Sequence, residues 1–262
     1  MDLFLKTYKA LFKKEFGDYG FRCLGSTHWR VVNDVYQAFH LWRISRDGTC
    51  QLSFGIVPLC YEMEAYHVRF GALLSFQPYD FLGCKEYCWR YDTKSEESIK
   101  GCCHQVILFI RSYLIPYFER GIDCKSAREE NLKIYAYRYE RFCTAAQGNS
   151  ELLQQVGEYW PGGEFECLMA IKIGEYGQAA EYLLKQIASR KKHLEENRTR
   201  EEDYEEDYYE RQEGYIAEWT SLLDHCMARD KEFFIDFLRE SERKSRIALG
   251  LEKEESKEGK AT

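Results

Sequence analysis

Residues 35–45 alternate in side-chain character, and this alternation restricts the fold more than any other feature of the chain. In an extended strand, successive side chains point to opposite faces of the sheet. One face would then carry Tyr36, Ala38, His40, Trp42 and Ile44, and the other Gln37, Phe39, Leu41 and Arg43. Because both faces are partly apolar, the pattern predicts a strand at the centre of a sheet.

Turn-forming residues lie on both sides of this segment. Asn33-Asp34 precede it and Arg46-Asp47-Gly48 follow it, and such residues favour tight connections between antiparallel strands. We therefore predict neighbouring strands at residues 29–32 and 50–59. Weaker strand patterns at residues 70–76 and 86–91 would extend the same sheet.

Helical periodicity brackets the strands. Apolar residues recur at three- and four-residue spacing over residues 4–16 and predict a first helix that Gly17 ends. Thr93 and Glu96 fit a capping box, which predicts the start of a long helix. Pro116 is expected to kink or end that helix because proline lacks the amide hydrogen.

Beyond Ala127 the periodicity is helical throughout. Predicted helices occupy residues 131–146, 164–173, 176–194, 201–229 and 232–249. The chain is thus predicted to be an α+β protein, with an N-terminal antiparallel sheet flanked by helices and an all-helical C-terminal layer. We place an α+β module at residues 1–128, a helical module at 129–250 and a disordered tail at 251–262.

The formal net charge of −7 restricts the partners. General nucleic-acid binding needs a basic face that neutralises phosphates, so this function is not expected, although an isolated basic patch is compatible with the total charge. No apolar run approaches the roughly 20 residues that span a bilayer, so no membrane association is expected.

The chain contains eleven cysteines. Their number is odd, most lie within apolar runs, and no signal peptide opens the sequence, so we expect reduced thiols in a cytoplasmic protein. Zinc-binding groups are present at Cys84, Cys88, Cys102, Cys103 and His104. However, adjacent cysteines project about 100° apart on a helix and do not converge on one ion. We therefore predict structural cysteines, no metal and no cofactor.

Several short segments follow one another in a defined order in the first half of the chain. They are Gly20-Phe21-Arg22, His28-Trp29-Arg30, residues 35–45, Leu52-Ser53-Phe54-Gly55-Ile56, Trp89 with Asp92, and Tyr113-Leu114-Ile115-Pro116. Over residues 1–128 this order resembles the bacterial "domain of unknown function 4304" family. No catalytic motif is defined for that family, so the resemblance implies a fold and no reaction.

A second resemblance concerns residues 168–187. This segment contains Gly174-Glu175-Tyr176 and Ala179-Ala180 and is similar to the inner part of a tetratricopeptide helical hairpin. The pattern occurs once, whereas a stable array needs about three repeats. We interpret it as a single pair of packed helices.

Aromatic, basic and imidazole side chains concentrate on the first long strands. Trp, Tyr and Arg dominate binding hot spots because they bury a large area and keep polar groups at their ends. We predict a binding site formed by His28, Trp29, Arg30, His40, Trp42, Arg43 and Trp89. The alternative is that Trp29 and Trp42 fill the core beneath the first helix.

Residues 201–210 are rich in carboxylates and contain no basic residue. Either water solvates these carboxylates on one face of a helix, or the cationic surface of a partner binds them. Solvation is the favoured interpretation, because the tyrosines of this region recur at helical spacing as if they faced a core.

Catalytic motifs are missing from the sequence. It contains no phosphate-binding loop, dinucleotide fingerprint, His-Glu-x-x-His motif or Gly-x-Ser-x-Gly elbow, so no catalytic residue is assigned. We predict a binding or protein-interaction protein whose partner is a protein or a small ligand. The alternatives are an enzyme whose site is assembled from distant residues, and an antitoxin-like neutraliser of a protein partner.

Overall fold

The structure is a computed structural model that describes residues 2–44, 46–81, 83–85, 88–145, 163–199 and 206–253. The chain divides into two compact units. The larger unit contains Met1–Pro161 and Ser241–Thr262, and the smaller unit contains Gly162–Glu240.

An antiparallel five-stranded sheet forms the centre of the larger unit. Its strands are β1 (Arg22–Leu24), β2 (Thr27–Val32), β3 (Val35–Ile44), β4 (Thr49–Pro58) and β5 (Trp89–Arg90). They lie side by side in chain order, and each pairs antiparallel with the next. The predicted α+β class and the predicted central position of β3 are confirmed.

Helices pack around this sheet. Those of the larger unit are α1 (Leu3–Phe16), α2 (Ala65–Phe70), α3 (Glu96–Phe109), α4 (Ile115–Arg120) and α5 (Cys124–Ala145). Asp2 caps α1 by accepting a hydrogen bond from the amide of Phe4 at 2.9 Å. The apolar stripe predicted for this helix is buried at Phe4, Tyr8, Phe12 and Phe16.

The two faces of the sheet meet different parts of the chain, as the alternation in β3 predicts. Phe39 lies opposite His28 in the register, and its ring centre lies 5.8 Å from that of Phe12 in α1. We call this the helix face. On the other side, which we call the opposite face, the hydroxyl of Thr27 donates to the carbonyl of Arg69 in α2 at 3.1 Å.

The helical path from α3 to α4 continues past Pro116. A π-helical turn spans Ile110–Leu114, and Pro116 lies in the first turn of α4, which ends at Gly121. The proline therefore does not end the helix. A π turn is rare and recurs at functional or strained positions of helices.

Helix α5 begins at Cys124, seven positions before the predicted start at residue 131. The side chain of Asn131 fixes its first turns, because it accepts from the hydroxyl of Tyr117 at 2.5 Å and donates to the carbonyl of Ile56 at 3.3 Å. The predicted boundary after residue 128 falls inside this continuous helix. The division into modules at residues 1–128 and 129–250 stays a prediction.

The smaller unit is helical. It contains α6 (Glu164–Lys172), α7 (Tyr176–Thr199), α8 (Glu206–Ala228) and the first part of α9 (Lys231–Ala248). Gly174, with φ of 80°, joins α6 to α7 in a hairpin. The guanidinium of Arg190 in α7 lies 4.6 Å from the ring centre of Trp219 in α8.

The last turns of α9 belong to the larger unit. The hydroxyl of Ser245 accepts from the amide of Met63 at 3.0 Å and donates to the carbonyl of Tyr61 at 2.6 Å. These bonds tie the end of the helix to the loop that follows β4. Within the described ranges, no helix combines the length and the apolar character that crossing a membrane requires.

The predicted strand at residues 70–76 is wrong. Phe70 ends α2, and Phe76 forms only an isolated bridge with Phe54 of β4. The apolar run is explained by burial of this loop rather than by strand pairing. Neither α2 nor the short edge strand β1 was predicted, since each has too few residues to show a period.

Two further details differ from the sequence prediction. Ser95, and not Thr93, caps α3, since its hydroxyl accepts from the amide of Ser98 at 3.2 Å. Leu184, an apolar residue within the predicted helix at 176–194, is 53% exposed rather than buried.

Some predicted features fall outside the described residues. They are the acidic residues 201–205, the start of the strand at 86–87 and the tail from residue 254 onward.

We expect Gly48→Ala to destabilise the larger unit. Gly48 has φ of 59°, and a Cβ added there would clash with the carbonyl oxygen of Tyr91, which lies beside β5. Left-handed backbone strain and the steric contact together should lower the free energy of unfolding by about 2–4 kcal/mol. Urea unfolding of the full chain measures this value.

Gly17→Ala is the matched control. Gly17 has φ of −56°, and no atom lies within 4 Å of its added Cβ, so the free energy of unfolding should stay constant or rise by up to about 1 kcal/mol. Equal losses in the two variants would contradict the assignment of Gly48 to a left-handed, sterically closed position.

Candidate functional site

The residues of the predicted binding site fall into two groups. The helix face carries His28, Arg30, Arg43 and Trp89, and the opposite face carries Trp29, His40 and Trp42. Alternate side chains of a strand point to opposite faces, so neighbours in the sequence are separated by the sheet itself. The sheet therefore does not bring these residues together in one cluster.

His28 is hydrogen-bonded at both ring nitrogens. Nε2 lies 3.2 Å from the hydroxyl of Tyr8, and Nδ1 lies 3.0 Å from Sγ of Cys23. Its ring is stacked on Phe39 with ring centres 4.9 Å apart. Cys23 is exposed on β1, so a solvent-accessible thiol, an imidazole and an orienting hydroxyl lie in series. This order of groups is typical of an activated cysteine.

The electrostatics of this series oppose activation. Burial, with a further effect of the Lys9 charge, lowers the pKa of His28 to about 4. Burial also raises the pKa of the Cys23 thiol. An activated cysteine needs the reverse, a low thiol pKa beside a protonated imidazole. The pair is therefore a neutral thiol and a neutral imidazole, and its hydrogen bonds attach α1 to the sheet.

On the opposite face, His40 lies 2.7 Å from the hydroxyl of Thr27 through Nδ1. Because that hydroxyl donates to the carbonyl of Arg69, it accepts the hydrogen of Nδ1. Trp42 lies next to His40, with ring centres 4.3 Å apart, and is 46% exposed. The indole nitrogen of Trp42 donates to the hydroxyl of Ser53 at 2.9 Å.

The two predicted arginines have partners within the fold. Arg30 donates to Oε1 of Gln37 at 2.7 Å and to the carbonyl of Tyr19 at 2.9 Å. Arg43 donates to Oδ1 of Asp2 at 2.5 Å, and this hydrogen bond lowers the pKa of the Asp2 carboxyl. Arg43 thus joins the sheet to the residue that precedes α1, and Arg30 joins it to the turn that follows α1.

The other two tryptophans are buried. Trp29 packs against Tyr36 on the opposite face, away from α1, with ring centres 5.9 Å apart. Trp89 packs against Phe109 of α3 with ring centres 5.5 Å apart. Their burial indicates a role in packing.

A cavity of about 540 Å³ lies elsewhere, along α5. We call it the α5 cavity. Its lining residues are Ser75, Gln77, Tyr79, Arg138, Arg141, Phe142 and Ala145. A volume of this size is typical of small-molecule sites.

A buried carboxylate fixes Arg138 in the wall of the α5 cavity. Nε and Nη2 of Arg138 donate to the two carboxylate oxygens of Asp80 at 2.6 and 2.5 Å, and Nη2 also donates to the carbonyl of Ser75 at 2.6 Å. The Asp80 side chain is fully buried and accepts a further bond from the amide of Gln77 at 2.7 Å. A bidentate pair of this kind fixes both position and orientation.

Arg141 is the second guanidinium in the wall of the α5 cavity. Nη1 donates to the carbonyl of Tyr79 at 2.6 Å, and the guanidinium lies 5.4 Å from the ring centre of Tyr79 and 5.6 Å from that of Tyr137. Among the residues that the structure describes, no carboxylate pairs with it. Aromatic rings hold a guanidinium through its faces and leave the donors at its edge available.

Gln77 adds an acceptor to the same wall. Its Oε1 is buried and has no hydrogen-bond partner in the described part of the chain. A buried acceptor without a partner costs about 1–3 kcal/mol, which a hydroxyl or amino group of a ligand would offset. The α5 cavity therefore offers guanidinium donors and an amide acceptor to one ligand.

None of the residues that line the α5 cavity was predicted as a site residue. The available signal is the run Tyr135, Tyr137, Arg138, Tyr139, Arg141 and Phe142, which has the same residue types that drew attention to the strands. The opposite wall of the cavity comes from residues 75–79. The spacing of apolar residues along the sequence does not show that this segment lies against α5.

No metal centre is visible in the described ranges, where no group of three His, Cys, Asp or Glu side chains is arranged to hold an ion. Comparison with protein families, with curated proteins and with solved structures finds no match for this chain. The resemblance to the "domain of unknown function 4304" family stays a prediction, and the functional argument rests on the geometry of the sites.

We expect His28 to make the fold less stable as the pH falls. Its pKa is about 4 in the folded chain, against 6.5 for an ordinary histidine, so the unfolded chain binds the proton first. Stability is then lost between about pH 6.5 and pH 4. In His28→Asn, the decrease in unfolding free energy between pH 7.5 and pH 4.5 should be smaller by about 2–3 kcal/mol.

Urea unfolding at the two pH values measures this difference. His104→Asn removes an exposed histidine of α3 and should keep the decrease seen in the unsubstituted protein. If His28→Asn keeps it as well, the buried imidazole is not the titrating group.

Proposed function

We propose that this protein binds a small anionic ligand in the α5 cavity. The observation that supports this function is the pair Arg138 and Arg141 on one wall of a 540 Å³ cavity. Asp80 neutralises and orients the first guanidinium, and the second has no carboxylate partner among the described residues.

The charge of the whole protein makes this wall distinctive. The chain has a net charge of −7, so a concave surface with two arginines differs from its average surface. A hydrogen bond from a guanidinium to a carboxylate or phosphate contributes about 1.5–3 kcal/mol. Steric confinement in the cavity adds selectivity for small anions over extended ones.

The ligand class follows from the wall as a whole. Arg141 would bind the anionic group, and a turn of the Gln77 side chain would bring its buried Oε1 to a hydroxyl or amino group of the ligand. The rings of Tyr79 and Phe142 supply apolar contacts. A hydroxylated carboxylic acid and a sugar phosphate share this chemistry, an anion next to a hydrogen-bond donor.

This proposal belongs to the binding class expected from the sequence. The enzyme alternative is a site assembled from distant residues and names none of them; the thiol–imidazole contact of Cys23 and His28 joins two groups whose pKa shifts favour their uncharged forms. The alternative of a protein partner for the acidic residues 201–210 concerns a segment of which residues 201–205 lie outside the described part of the chain.

Arg141→Ala should weaken binding of glycerol 3-phosphate and of lactate by at least tenfold. The variant loses one charge-assisted hydrogen bond, whose contribution of about 1.5–3 kcal/mol corresponds to roughly 10- to 100-fold in Kd. Isothermal titration calorimetry of the full chain with each anion measures Kd, and glycerol without phosphate is the uncharged comparison.

Arg111→Ala is the matched control. Arg111 is an exposed arginine that pairs with Glu15 at 2.6 Å and does not line the α5 cavity. Its removal changes the net charge by the same amount and should leave Kd unchanged. Equal Kd values in the two variants, or no saturable binding of either anion to the unsubstituted protein, would overturn the proposed function.

A further inference from the structure

Two buried thiols meet near the start of β4. Sγ of Cys50 lies 3.7 Å from Sγ of Cys102 in α3. Both cysteines are free thiols in this structure.

We propose that this pair is a site of oxidative modification, at which a peroxide or a small-molecule disulfide converts the thiols of Cys50 and Cys102 into a disulfide bond. The bond would tie the start of β4 to α3. This inference does not depend on the function proposed for the α5 cavity.

The chemistry balances for either oxidant. With a disulfide, one protein thiolate attacks a sulfur of the oxidant and expels a thiolate, and the second protein thiolate then attacks the mixed disulfide and expels the other. With hydrogen peroxide, one thiol becomes a sulfenic acid and releases water, and the second thiol displaces a second water. In both cases two electrons leave the protein sulfurs and reduce the oxidant, and the two thiol protons pass to its products.

The sulfurs of Cys50 and Cys102 are close enough for this reaction. A disulfide bond is about 2.05 Å long, so the sulfurs of Cys50 and Cys102 must approach by about 1.7 Å. The hydrogen bond from Cys50 lowers the pKa of Cys102, which identifies Cys102 as the attacking sulfur. Because both residues are buried, local opening of the structure must admit the oxidant, and the reaction should be slow.

Other cysteines have different neighbours. The thiol of Cys103 donates to the carbonyl of Phe4, and that of Cys167 donates to the carbonyl of Ala179. Cys23 lies beside the imidazole of His28. The thiol of Cys124 likewise donates to a backbone carbonyl, that of Asp34. The contact between two sulfurs therefore distinguishes the proposed pair from these buried and exposed thiols.

The test is incubation of the folded full-length protein with excess oxidised glutathione, followed by intact-mass measurement and non-reducing peptide mapping. We expect a loss of about 2 Da, the two hydrogens of one bridge, with a linked peptide pair that contains Cys50 and Cys102. The melting temperature should rise by at least about 5 °C, since the bridge restricts the unfolded chain.

Cys102→Ser and Cys103→Ser form a matched pair, since the two residues are adjacent and buried in α3. Cys102→Ser should show no loss of about 2 Da and no bridge to Cys50, whereas Cys103→Ser should lose about 2 Da like the unsubstituted protein. Glutathione adducts without internal bridges, linked peptides from other cysteines, or bridges that form only in urea would overturn the proposal. The mapping of the unsubstituted protein decides the question even if a variant fails to fold.

Discussion

The side chain of Gln37 connects the centre of the sheet to the end of α4, and much of the larger unit depends on it. Its Nε2 donates to the carbonyls of Phe118 and Gly121 at 2.6 and 2.8 Å, and its Oε1 accepts from Arg30 at 2.7 Å. The last carbonyls of a helix have no partner within the helix, so a buried helix end needs such a donor. Because this amide is fully buried, one fully satisfied polar group sets where α4 ends on β3.

The position of α4 in turn determines where α5 lies. The chain turns at Gly121, and Asn131 then joins the hydroxyl of Tyr117 to the carbonyl of Ile56 in β4. Further along the same helix, Arg138 meets the buried carboxylate of Asp80. The α5 cavity is thus the outcome of successive buried polar contacts, each of which fixes the start of the next element. Breaking a buried pair costs more than an exposed one, because the remaining charge loses its solvent and its partner.

Local periodicity predicted the longer helices and strands but not their contacts. The alternation in residues 35–45 established β3, its central position and its two faces, because a period of two is visible within one strand. The same alternation separates His28 from Trp29 and His40 from Arg43, so residue types that suggested one site belong to two sides of a sheet. The α5 cavity joins residues 75–79 to residues 138–145. No local pattern encodes that pairing, which is made by the bonds of Arg138 to Asp80 and Ser75 and of Arg141 to Tyr79.

The cysteines show why composition does not decide chemistry. Burial raises the pKa of Cys23, Cys103 and Cys226 alike, so each favours the neutral thiol. What differs is the atom that each sulfur meets: an imidazole nitrogen at Cys23 and a backbone carbonyl at Cys103. Cys102, one position away from Cys103, meets a second sulfur. A rotation of about 100° along a helix separates a thiol that only donates a hydrogen bond from one that can form a covalent bond. Helix geometry, more than the number of cysteines, therefore determines which of them can cross-link the fold.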